Sequence, residues 1–365
     1  MQLNTSNNYA DIFLSNSDLL DVRAPIEFKQ GAFPNAANLP LLNDDERSRI
    51  GICYKKQGQE KAIELGHKIV SGNTRQKRLE QWINYAREHQ NSYLYCLRGG
   101  LRSKIAQQWL AEAEIEITRV EGGYKALRNF LIKHIESADR DYSFTLVGGM
   151  TGCQKTKLVR TIENGIDLEG AAYHRGSSFG AHALPQSSQI NFENVLAIDL
   201  LKAEQLKLKS LVLEDEGRFI GSVDIPKNIY NKMRTSSIVV VERSLEERIQ
   251  QLLQEYVIDM KAEFYDAHQN QDQAFQSFSE YLLSSLNRIK KRLGQQKWSE
   301  LNSKMETALS IQHATDDIFS HQSWLEPLLT DYYDPMYTSQ LKNREELIVF
   351  QGSYTECQQF LNEHV

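Results

Sequence analysis

The sequence predicts an α/β protein of two domains, each built on a mostly parallel sheet, with a helical extension late in the second. Three observations lead there. The chain has 365 residues, more than a single hydrophobic core usually serves. Short apolar runs alternate with helix-length amphipathic stretches in both halves, the pattern of strands joined by crossover helices. Two of those runs end in glycine-bearing loops that lead straight into helices, one at Cys96 and one before Lys155. In such sheets the chemistry gathers at the carboxyl ends of strands. The expected organisation is a first domain over 1–136, a polar linker over 137–141, and a second domain over 142–365. Its helical segment should run from about 245 to 330.

Composition narrows the class. Hydrophobic residues make up 41% and charged residues 25%, as in globular proteins. No apolar run is long enough to span a bilayer, and residues 1–10 lack a signal-peptide pattern, so a cytoplasmic protein with no membrane partner is expected. Cys53, Cys96, Cys153 and Cys357 are widely spaced with no C-x-x-C pair. Free thiols in a reducing compartment are expected, with neither a disulfide framework nor a zinc site. The net charge of −6 gives no global sign of nucleic-acid affinity, which local basic patches would have to supply. A monomer is expected, and no resident cofactor or metal is assigned.

In the first half, residues 19–23 read as a strand ending in Asp21-Val22-Arg23. Pro25, Pro34 and Pro40 then punctuate a short helix (25–30) and a strand (37–39). Helices are expected over 44–54, over 58–70 on the spacing Ala62, Leu65, Ile69, and over 76–88. A strand over 92–95 delivers Cys96, followed by Arg98, Gly99, Gly100, Arg102 and Ser103, with a helix over 104–113. A strand near Val120, the turn Gly122-Gly123 and a helix over 126–135 close the half. Gly99 and Gly100 let successive N–H groups turn inward as an anion nest, and the helix start adds its positive end. A thiol placed there beside Arg98 and Arg102 should ionise readily, so Cys96 is the candidate nucleophile or carrier of an anionic group. The cluster Cys53-Tyr54-Lys55-Lys56 reads either as a solvated helix start or as a contact for RNA phosphate.

In the second half, the strand 142–147 runs into Gly148-Gly149-Met150-Thr151-Gly152-Cys153-Gln154-Lys155-Thr156 and a helix over 157–163. This is a P-loop in its proper context. Backbone groups around Gly149, Thr151 and Gly152 would cradle phosphate, Lys155 would reach an outer phosphate, and Thr156 would be placed to hold Mg2+. Gln154 stands where a glycine normally precedes the lysine, which weakens the expectation of ATP hydrolysis and leaves a diphosphate or an RNA backbone as occupants. The strand 209–213 ends in Glu214-Asp215-Glu216, with Asp215 a candidate for Mg2+ at the Walker-B position. The polar loop 174–180, with Arg175, should face the same site. Arg243 and Arg248, after the strand 237–242, are phosphate contacts or plain surface charges. Arg288-Ile289-Lys290-Lys291-Arg292 reads as a basic helical face able to meet an RNA backbone. A strand over 346–350 and a helix over 354–364 end the chain.

Asp21-Val22-Arg23, Glu27-Phe28, Gly31-Ala32-Phe33-Pro34-Asn35-Ala36, the cysteine loop and Glu121-Gly122-Gly123 together resemble a rhodanese domain. In that family the loop cysteine carries a persulfide or related chalcogen. Here the loop is one residue longer than usual, and its C-x5-R-S spacing is shared with cysteine phosphatases of a similar fold, so the loop alone leaves both chemistries open. Taken end to end, the chain resembles the bacterial tRNA 2-selenouridine synthases. The likeness rests on the Cys96–Ser103 frame, Gly51-Ile52-Cys53-Tyr54-Lys55, the Gly148–Gly152 loop with Lys155-Thr156, and Glu214-Asp215-Glu216. That resemblance implies a transferase acting on the wobble 2-thiouridine in the anticodon region of tRNA. It implies geranylation of the sulfur from geranyl diphosphate, then exchange for selenium from selenophosphate. By the same resemblance the P-loop (Gly152, Lys155, Thr156) would hold the diphosphate, and Arg98, Arg102 and nearby N–H groups the selenophosphate. Cys96 would carry selenium or assist geranylthiol departure, and an apolar groove for the isoprenoid would lie near the P-loop. The rival readings are a sulfurtransferase with a nucleotide-binding domain, a cysteine phosphatase fused to a kinase-like domain, and an RNA-binding module without catalysis.

Overall fold

Alternating apolar and polar runs in the first half form a five-stranded sheet in the computed structural model, which describes residues 3–365. Its strands are β1 (Thr5–Ser6), β2 (Leu19–Asp21), β3 (Ala36–Asn38), β4 (Tyr93–Tyr95) and β5 (Thr118–Val120). They lie in the order β1-β5-β4-β2-β3, and every neighbouring pair is parallel. The chain passes outward from β2 to β3, then returns past β2 to β4. Connections thus leave β2 and β4 in opposite directions, which opens a crevice at their carboxyl ends. Leu19, Leu20, Leu94 and Tyr95 are all buried, as befits strands covered on both faces. This unit comprises the residues up to Ser137 together with Ser188–Leu206.

Within it, Asp44–Ile69 is a long helix started by a capping box: the Asn43 side chain accepts from Glu46 N–H at 2.9 Å, and Glu46 accepts from Asn43 N–H at 2.8 Å. Gly58 (φ 84°) interrupts it, so the two helices read from the sequence are joined through one non-helical glycine. Residues 137–141, expected as a linker, contain the division between the two units, after Ser137, and are helical, the last turn of the helix Gly123–Asp141. Ser-Ala-Asp-Arg-Asp contains no glycine or proline to stop a helix, and Ala138 is fully buried.

The second unit comprises Ala138–Ser187 and Lys207–Val365. Its sheet contains β6 (Ser143–Gly149), β7 (Gly165–Ile166) and β8 (Ser210–Glu214). After these come a two-stranded antiparallel hairpin, β9 (Phe219–Ile220) and β10 (Val223–Asp224), and then β11 (Ser237–Glu242) and β12 (Ile348–Ser353). The order is β12-β11-β6-β8-β7, parallel throughout. From β6 the chain builds one side of the sheet and then crosses to the other, so the carboxyl end of β6 lies where the direction reverses. Most of 245–342 is helical around a buried cluster that includes Tyr256, Met260, Phe278, Trp324 and Leu328. The basic run 288–292 is not one helical face. The helix Gln271–Arg288 ends at Ile289, Lys290–Leu293 is a single turn, and Gly294 (φ 79°) separates that turn from the helix Gln295–Thr315. The Lys290 ammonium covers the Trp298 ring at 3.5 Å, and Arg288 donates to the Ser178 carbonyl at 2.7 Å. Among the described residues no helix is long and apolar enough to cross a membrane.

His321 is fully buried beneath that helical core, accepting from the Trp324 indole N–H at 2.9 Å and bonded to Gln312 Oε1 at 2.9 Å. Burial pushes its pKa down to about 4. The unfolded chain therefore binds this proton near the ordinary value while the folded chain resists it, and stability falls as pH drops below about 6.5. Acidification from pH 7 to pH 5 is expected to cost about 2 kcal/mol through this residue. Denaturant titrations at both pH values check it: His321→Gln should lose that part of the slope.

Candidate functional site

Each unit carries one candidate site, at the carboxyl end of a strand. In the first, β4 ends at Tyr95 and the next residue is Cys96, 3% exposed. Its Sγ lies 3.2 Å from Ser103 Oγ, and that hydroxyl also donates to the Gly100 carbonyl at 3.1 Å. The loop 96–100 is braced from the β5 side. Tyr124 N–H donates to the Cys96 carbonyl at 2.9 Å, Lys125 N–H to Leu97 at 3.0 Å, and the Arg119 guanidinium to Gly99 at 2.8 Å. Gly123 has φ 57°, and a Cβ there would stand 2.2 Å from the Cys96 carbonyl oxygen. The Gly122-Gly123 turn is therefore what allows the cysteine loop to seat so closely.

The two arginines of this loop differ. Arg102 forms a fork with Glu27, at 2.5 Å to Oε2 and 3.1 Å to Oε1, and Glu27 is only 6% exposed. Arg98 is exposed and forms no ion pair among the described residues. Its charge is free to meet an incoming anion, whereas that of Arg102 is already balanced. Behind the loop, Arg23 is buried against Asp21 at 2.7 Å, donates to the carbonyls of Glu27 and Gly31, and lies over the Tyr124 ring at 3.8 Å. The Asp21-Val22-Arg23 run is thus a structural pin under the site.

In the second unit the loop after β6 borders a polar cleft of about 580 Å³. It is lined by Thr151, Gly152, Lys155, Thr156, His174, Arg175, Glu169, Glu216 and Tyr337. Lys155 begins the helix Lys155–Thr161, and its ammonium lies 5.2 Å from the centre of the Tyr337 ring. Burial opposes its charge, but Tyr337, Cys153, Glu216 and Glu169 outweigh that and hold it above the ordinary lysine value. Burial and the neighbouring Glu169 push Glu216 up to about 8. Burial also raises Glu169.

Gln154 adopts φ 67°, ψ 36°, the left-handed conformation a glycine would take without strain. The cost for a residue with a side chain is about 1–3 kcal/mol. It is offset by a relay in which the Gln154 amide donates to Gln251, and Gln251 donates to Glu255 at 2.6 Å. From below, Arg248 is locked to Asp334 at 2.7 and 2.8 Å, and a Cβ on Gly152 would meet its backbone oxygen at 2.9 Å.

The groups expected at a Mg2+ site are otherwise occupied. Thr156 Oγ1 donates to Glu169 Oε2 at 2.6 Å, and Asp215 is in a buried ion pair with Arg344. Among the described residues no group of three or more His, Cys, Asp or Glu is arranged to hold a metal ion. Arg175 lines the cleft while donating to Glu263 at 2.9 Å. Arg243 does not line it: with Gly149 it borders a separate pocket, and its guanidinium sits 5.9 Å from the Tyr354 ring centre. Sequence reasoning missed Glu169 and Tyr337. Each joins Lys155 only through tertiary folding, and neither stands in a recognisable motif.

Two domain families match the chain. The rhodanese-like domain covers residues 7–129, and the tRNA 2-selenouridine synthase AAA domain covers residues 142–365. A tRNA 2-selenouridine synthase of Pseudomonas fluorescens is 48% identical over 356 residues, covering 98% of this chain and 97% of the relative. One of Serratia proteamaculans is also 48% identical, covering 97% and 95%. One of Bordetella petrii is 46% identical, covering 98% and 96%.

The seating of the cysteine loop is testable without any substrate. Gly123→Ala should destabilise the protein by about 2 kcal/mol or more, since it adds both a left-handed alanine and a backbone clash. Gly51→Ala, where a Cβ meets nothing within 4 Å, should be neutral or slightly stabilising. Urea midpoints of the two variants check this.

Proposed function

The chain belongs to the tRNA 2-selenouridine synthase family, and from that premise we propose that it replaces the sulfur of a tRNA wobble 2-thiouridine with selenium in two steps. The P-loop unit serves the first and the cysteine-loop unit the second. In the first step the thiouridine sulfur attacks C1 of geranyl diphosphate. The C–O bond breaks, its electron pair leaves with diphosphate, and the N3 proton goes to the released diphosphate. The base then carries an S-geranyl group, a better leaving group than a thiocarbonyl sulfur. In the second step selenium from selenophosphate takes the place of the geranylthiolate at C2. One water splits the Se–P bond, so the products are 2-selenouridine, geranylthiol and phosphate. Both steps are group transfers, which makes the enzyme a transferase.

The residues divide accordingly. Lys155, with N–H groups of the loop around Thr151 and Gly152, faces the charge that builds on the departing diphosphate. Thr156 and Arg175 border the same cleft. Step two falls to the Cys96 loop: Arg98 and the N–H groups around Gly99 and Gly100 receive the selenophosphate, Arg102 and Ser103 hold the loop in shape, and the Cys96 thiol meets the selenium. The observation that carries the division is that the chain holds two glycine-bearing strand–loop–helix turns of different kinds. One presents a buried thiol and the other an ammonium that lines a polar cleft.

Nucleoside mass spectrometry of 2-thiouridine-containing tRNA tests the assignment. Cys96→Ser should accumulate the S-geranyl nucleoside and form no selenouridine. Lys155→Ala should slow geranylation by about a hundredfold or more yet still convert pre-geranylated tRNA. Geranylation by Lys155→Ala at the wild-type rate, or selenouridine from Cys96→Ser, would sink the division.

A further inference from the structure

The first unit contains a pocket that neither candidate loop accounts for. It is an open recess of about 240 Å³ bordered by the helices Asp44–Ile69 and Leu101–Glu112. Its walls include Leu41, Ile50, Ile63, Ile105 and Trp109. A recess with mainly apolar walls favours an apolar guest. The one cationic guanidinium on its wall, that of Arg102, is already paired with Glu27. The wall also carries Gln59 and His67, a small polar share beside its apolar side chains. Tyr54 (57% exposed) and Leu101 (48% exposed) leave apolar surface at its edge. Gly66 also lines it, and a Cβ there would meet only Ile50 Cδ1, at 3.6 Å. The pocket is thus open at the one position where a side chain would fill it.

Its location bears on the chemistry. Leu101 and Arg102, which form part of the wall, are the first two residues of the helix that closes the Cys96 loop. A chain attached through sulfur to a base presented at that loop has an apolar recess beside it. We propose that this pocket takes a ten-carbon isoprenoid chain, and that it holds the geranyl group while the sulfur bearing it is displaced. The inference rests on the two-step reading for the identity of the chain, and it places the isoprenoid of the second step beside the thiol loop.

Calorimetric titration of the intact protein with geraniol tests the pocket directly. Wild type and Gly66→Ala should bind alike, whereas Gly66→Leu, whose isobutyl group enters the recess, should bind at least tenfold more weakly. Each methylene excluded costs about fourfold in affinity. Ile63→Trp is the second variant if Gly66→Leu does not fold. With S-geranyl RNA and selenophosphate, Gly66→Leu should raise KM at least tenfold, while S-methyl RNA should be converted equally by both proteins. Equal geraniol binding by wild type and the folded filled variants overturns the proposal. Geraniol binding that the variants abolish, without any conversion of S-geranyl RNA by wild type, upholds the pocket and removes the two-step reading instead.

Discussion

The Glu27 carboxylate holds the first candidate site together. It accepts from the Ala24 amide at 3.0 Å, from Arg102 through both oxygens, and it pairs with Arg47 at 3.2 Å. Burial would favour its neutral form, but Arg102, the Ala24 amide and Arg47 outweigh burial and keep its pKa below the ordinary value. One acid thereby fixes the turn after β2, the start of the cysteine-loop helix and the foot of the long helix. A buried pair of this kind is a weak source of net stability but a strong constraint on geometry, because losing either partner strands a charge at a cost of about 3–5 kcal/mol. The geometry so fixed leaves Arg98 as the loop's unpaired cation.

The second site solves the opposite problem. There a cation is concentrated and surrounded by acids that burial pushes toward neutrality, Glu169 and Glu216 among them. An anion entering this cleft meets the Lys155 ammonium and Arg175 beside those acids. The left-handed Gln154 keeps the loop in shape at a local cost, and its relay to Gln251 and Glu255 links the P-loop to the following helical region.

Much of this was legible in the chain itself. The C-x5-R-S frame, the Gly-Gly turn after Val120 and the strand–loop–helix setting of Lys155 are local patterns, and local patterns determine local backbone. The parallel sheets follow from the alternation of strands and helices. What could not be read were pairings across long stretches of sequence. Nothing near Arg102 announces Glu27, nothing near Asp215 announces Arg344, and Tyr337 reaches Lys155 from far along the chain. Residues 137–141 do fall where the two units divide, after Ser137, but their polarity gave no sign that the helix continues through them, although their helix propensity is good. The basic run at 288–292 misread as one face because the helix breaks at Ile289, within it.

The helix Gln189–Gln205 comes from the stretch between β7 and β8 yet is counted with the first unit, where Asn191 and Asn194 bond the backbone of Ala32 at 2.8 and 2.7 Å. The chain therefore passes between its two units three times, after Ser137, after Ser187 and after Leu206. During synthesis the thiol-bearing unit cannot finish folding until the ribosome has already made the whole phosphate loop. Its Ala32 amide and carbonyl wait, solvated, for a helix encoded about 160 residues later, a separation that slows closure more than it costs stability. The first unit is therefore not a contiguous segment of its gene, and a cut after Ser137 would leave Ala32 without its Asn191 and Asn194 partners.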